Sequence, residues 1–119
     1  PVVGGDLPLP DYNVAGGGYI ADDALPRIYE RSIAIGADHF VLPATDLAKV
    51  RRLSAWLADR LEIPFLFMPG IGALGGAIKD AFAAAPGCRR YAVVGRAIYG
   101  APDPAEAAKR LAGEALAFA

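Results

Sequence analysis

The chain has 119 residues, 55% of them hydrophobic, and a formal net charge of -1, which suits one cored domain but falls short of the roughly 250 residues of a complete eight-stranded α/β barrel. Its acids and bases are interleaved, leaving neither a basic stripe nor an aromatic and basic platform for nucleic acid. No leader pattern and no unbroken apolar run of about 18 residues marks secretion or a membrane span, so a cytoplasmic address is expected, and a single cysteine with a single histidine supplies no disulfide framework and no zinc site.

Residues 1–20 are rich in turn formers, with Gly4-Gly5, Pro8, Pro10 and Gly16-Gly17-Gly18, so a long loop is expected, with Val2-Val3 as the one hint of a strand. Such a loop is either functional or a terminus separated from an upstream segment. The first residue, Pro1, fits a trimmed initiator or a chain that began further upstream. Residues 21–119 then read as the structured unit. Residues 23–35 form a helix offering Leu25, Ile28 and Ile35 for burial, with Pro26 in its first turn and Gly36 as its stop. Phe40-Val41-Leu42 is a first continuous apolar run, the pattern of a parallel strand buried on both faces.

From Asp46 to Leu61 the residues Leu47, Val50, Leu53, Leu57 and Leu61 recur with helical period, which predicts an amphipathic surface helix. Phe65-Leu66-Phe67-Met68 is the next strand, followed by the glycine-rich turn Gly70-Ile71-Gly72-Ala73-Leu74-Gly75-Gly76 and a short helix over 77–85 closed by Pro86-Gly87. Tyr91-Ala92-Val93-Val94 is the last strand. Asp103 as cap, Pro104 in the first turn and Glu106 at the capping-box position start a helix that runs to about Phe118. Strand and helix alternate throughout, so the fold class is α/β with a parallel sheet.

Chemistry concentrates after the last two strands. Pro69 to Gly76 and Gly95-Arg96-Ala97-Ile98-Tyr99 are two loops of the kind that hold phosphate: glycines admit backbone N–H groups, a helix start adds partial positive charge, and a guanidinium forks onto two oxygens. Each loop alone is better explained by a tight turn and a surface charge, whereas the ordered pair on successive strand ends favours a phosphate cup. Asp11, Asp22, Asp23 and His39 read as capping or surface groups, and Cys88 as structural.

Met68-Pro69-Gly70-Ile71-Gly72-Ala73 resembles the proline-glycine loop after strand seven of the orotidine 5'-phosphate decarboxylases. Val93-Val94-Gly95-Arg96-Ala97-Ile98-Tyr99, with Ala101-Pro102-Asp103-Pro104, resembles their strand-eight signature and last helix, and Phe40 to Thr45 is similar to their sixth strand end. The likeness is to archaeal members and spans about 21–118. It implies about half of a (β/α)8 TIM barrel, the C-terminal half, with Gly95, Arg96 and Gly75 on the substrate phosphate and Pro69, Gly70 and Leu74 lining the nucleotide site. Leu74 departs from the glutamine that many archaeal members carry there, and leucine has no hydrogen-bonding group. The family's catalytic Asp-x-Lys-x-x-Asp array lies in the other half of its barrel. Lys49, Lys79 and Lys109 are the only lysines and none stands in such an array, so the chain is expected to carry no catalytic residue and to be inactive alone. The resemblance implies no cofactor or metal. It implies a phosphorylated small-molecule ligand (orotidylate or uridylate), and as partner either a second copy or an N-terminal half-barrel chain. The alternatives are a noncatalytic half-barrel that binds a phosphorylated metabolite, or part of a related sugar-phosphate decarboxylase or synthase.

Overall fold

The computed structural model describes residues 2–3, 21, 23–72 and 77–118. Four strands, β1 (Val2–Val3), β2 (His39–Val41), β3 (Phe65–Met68) and β4 (Arg89–Ala92), form one sheet in the order β1-β2-β3-β4. Every neighbouring pair is parallel, with Val2 opposite His39, Phe65 opposite both His39 and Arg89, and Phe67 opposite both Val41 and Tyr91. Helices α1 (Ala24–Ala34), α2 (Leu47–Ala58), α3 (Ile78–Ala83), α4 (Arg96–Tyr99) and α5 (Pro104–Leu116) occupy the connections and the C-terminal stretch. Strand and helix alternate as the sequence rhythm requires, and the hint at Val2-Val3 is a strand.

The caps follow from local chemistry. The Asp46 carboxylate accepts from the Lys49 amide at 3.0 Å, and that of Asp103 accepts from the Glu106 amide at 3.1 Å with Pro104 opening α5, so each satisfies a donor that the first turn leaves without an intrahelical partner. Gly36, at φ +90, ends the α1 segment, its amide donating to the Ile33 carbonyl at 2.9 Å. Helix α2 buries Val50, Leu53, Ser54 and Leu57, and the Ser54 hydroxyl is satisfied by the carbonyls of Arg51 and Ala84 at 3.2 and 3.3 Å.

Two expectations need correction. Helix α1 buries Leu25 and Tyr29, while Ile28 is 39% and Ile35 79% exposed; Tyr29 fills the space instead, packing its ring on Phe40 at 4.9 Å and donating its hydroxyl to the Val41 carbonyl at 2.9 Å. The last strand covers 89–92 rather than 91–94. It takes in two arginines because Arg90 works in the helix layer, donating to the carbonyls of Phe82 at 2.9 Å and Phe118 at 3.1 Å.

Phe40, Leu42, Leu66 and Met68 are fully buried on the side of the sheet that the helices cover, in one core with Tyr29, Val50, Leu53, Leu57, Ile78 and Leu111. Burial alternates along β2, β3 and β4. The other face, carrying His39, Val41, Phe65, Phe67, Arg89 and Tyr91, is half-buried or exposed, so the strands are covered on one face and not on both. No described element packs over that second face. Its rings stack across the strands: His39 on Phe65 with centroids 4.2 Å apart, and Phe67 on Tyr91 at 5.2 Å.

Candidate functional site

The connections leaving the C-terminal ends of β2, β3 and β4 lie against one another. Hydrogen bonding continues past the strand ends, from the Leu42 amide to the Phe67 carbonyl at 2.9 Å, from Ala44 to Pro69 at 2.7 Å and from Val93 to Met68 at 3.1 Å. Gly70 has φ +92 and sits so close to the β2 connection that a Cβ there would lie 2.9 Å from the Thr45 methyl. Gly72, at φ +80, is tighter still, since an added Cβ would lie 2.5 Å from the Cβ of Ala97. Both positions need glycine for backbone conformation and for space. The β3 loop is thereby wedged between Thr45 on one side and α4 on the other.

Helix α4 is four residues long and begins directly after Gly95, whose carbonyl accepts from the amides of Ile98 at 2.8 Å and Tyr99 at 3.2 Å. Amides at a helix start lack intrahelical acceptors, and those of Arg96 and Ala97 stand at this one. Arg96 is exposed and makes no ion pair among the described residues. A free planar fork beside a glycine loop and a helix start is suited to an anion with several oxygens.

Of the residues singled out from sequence, Pro69, Gly70, Gly95 and Arg96 stand on these adjoining loops, while Leu74 and Gly75 lie outside the described residues. The reading missed α4, Thr45 and the Gly72 to Ala97 contact. Gly72 and Ala97 are small residues on the two loops already singled out, which was the one available signal. Asp11 and Asp22 also lie outside the described residues. Asp23 precedes α1 and pairs with Arg27 at 2.7 Å. His39 is at the opposite, N-terminal end of the strands and bonds the Asp38 carboxylate through Nδ1, a contact that holds the Asp38 pKa below the usual carboxylate value. Cys88 is buried and its thiol is pushed up to about 11 by desolvation, which makes it a poor nucleophile. Lys49, Lys79 and Lys109 stand on α2, α3 and α5, and Lys109 pairs with Glu106 at 2.7 Å. Among the described residues no three His, Cys, Asp or Glu side chains converge as metal ligands, and no helix is long and apolar enough to cross a membrane.

No family model matches the chain. Among curated proteins it is 34% identical over 99 residues to the orotidine 5'-phosphate decarboxylase of Methanosarcina acetivorans, an alignment covering 83% of this chain and 42% of that one. The match to the enzyme of the same name from Thermococcus kodakarensis is 32% over 132 residues, covering 89% and 60%. Among solved structures, the orotidine 5'-monophosphate decarboxylase of Methanocaldococcus jannaschii, complexed with the inhibitor BMP, superposes with a TM-score of 0.62 at 28% identity, over 74% of this chain and 38% of that one. The Pyrococcus horikoshii enzyme gives 0.54 at 34% identity, over 76% and 40%. The chain spans about two fifths of the first of these relatives, and its sheet is a corresponding part of a (β/α)8 barrel.

Proposed function

We propose that this chain, related in sequence and fold to part of the archaeal orotidine 5'-phosphate decarboxylases, is the C-terminal, phosphate-gripping half of such an enzyme, which turns orotidylate into uridylate and CO2 in pyrimidine biosynthesis. The observation that carries the proposal is the wedging of the proline-glycine loop against α4 through Gly72 and Ala97, which brings that loop against the helix that Arg96 opens, a residue with no ion pair among the described residues. In this reading Gly95, Arg96 and Gly75 hold the phosphate, Pro69, Gly70 and Leu74 line the nucleotide, and residues 21–119 form the unit that carries both.

Decarboxylation leaves a carbanion that must be stabilised and protonated, work for fixed charges next to the reacting carbon. None of the three lysines of this chain stands in an Asp-x-Lys-x-x-Asp array, so in this reading that array is supplied by the rest of an eight-stranded barrel, and the described loops contribute binding energy to a group remote from the chemistry. Such binding accelerates reaction only when the reacting centre is also held, and the chain alone should not turn over orotidylate. The ligand is a soluble nucleotide and the setting cytoplasmic. A second reading, a sugar phosphate in place of the nucleotide, is favoured by one feature: Leu74 cannot hydrogen-bond a pyrimidine.

Calorimetric titration tests the site. Arg96→Ala should weaken uridine 5'-phosphate binding by about 1.5–3 kcal/mol, the range for hydrogen bonds to a charged group, with folding unchanged by circular dichroism. Equal affinity in the two proteins would remove Arg96 from the site. Binding of ribose 5-phosphate as tight as that of uridine 5'-phosphate would favour the sugar-phosphate reading.

A further inference from the structure

We draw no further inference here: the strongest candidate, the apolar groove between β4 and α5 together with the uncovered sheet face that carries His39, Phe65 and Arg89, is the place that the proposed function gives to the rest of the barrel, and nothing in the structure shows what covers it.

Discussion

Replacing Gly72 by alanine is the sharpest test of the loop arrangement. Two costs apply at this position. An L-residue held at φ +80 loses about 1–2 kcal/mol relative to glycine, and a Cβ placed 2.5 Å from the Cβ of Ala97 is far inside the roughly 3.5–4.0 Å of a comfortable carbon contact, so the loop or α4 must move at about the 1–3 kcal/mol typical of overpacking. Gly36→Ala separates the two terms. Gly36 has φ +90 with nothing within 4 Å of the added carbon, so it suffers the backbone cost alone, about 1–2 kcal/mol. Urea denaturation should therefore rank Gly72→Ala below Gly36→Ala by about 1–3 kcal/mol. Adding Ala97→Gly to Gly72→Ala should recover most of that difference, beyond the loss of about 1 kcal/mol that glycine costs in a helix. Equal stabilities for the two glycine variants, or no coupling between positions 72 and 97, would show that the β3 loop does not bear on α4.

Tyr29→Phe should cost about 0.5–1.5 kcal/mol in the same denaturation assay, because it removes the hydroxyl that donates to the Val41 carbonyl at 2.9 Å while leaving the buried ring in place; a neutral change would mean that water or another donor serves that carbonyl. For Cys88, burial raises the thiol from 9.0 to about 11. The unfolded chain then gives up its proton first, so stability is intact below about pH 9 and falls as pH rises toward 11. Cys88→Ala should flatten this alkaline slope, and iodoacetamide at pH 8 should modify the native thiol only at the rate of unfolding; rapid alkylation of the folded protein would contradict the burial.

Where the fold was legible, one short stretch of sequence decided the outcome. Asp46 and Asp103 cap the helices they precede, and the apolar runs at 40–42 and 65–68 are strands within a residue at either end. Where it was not, a distant partner intervened. Val93 and Val94 look like strand and Arg89 and Arg90 do not, yet the strand takes the arginines, because Arg90 finds carbonyl acceptors at Phe82 and Phe118 that no local pattern announces. Helix periodicity nominates aliphatic residues, so it selected Ile28 and Ile35 and passed over Tyr29, whose burial depends on a carbonyl in another element. Helix α4, with four residues, is too short to show a period. The Pro69-Gly70 and Gly95-Arg96 loops stand out in the sequence by composition, but the Gly72 to Ala97 contact that joins them is tertiary.

In this sheet every strand pairs with its neighbour in the chain, and the loops that meet at Thr45, Gly70, Gly72 and Ala97 follow three consecutive strands. The closure entropy of such a sequence of units grows only slowly with length, and no contact in the cup waits for the ends of the polypeptide to find each other. The meeting of these loops is thus a property of one contiguous stretch, about 40–100, in which the outer strand β1 takes no part. Assembly order follows: the contacts of Gly70 with Thr45 and of Gly72 with Ala97 can form before β1, at the far end of the chain, joins the sheet.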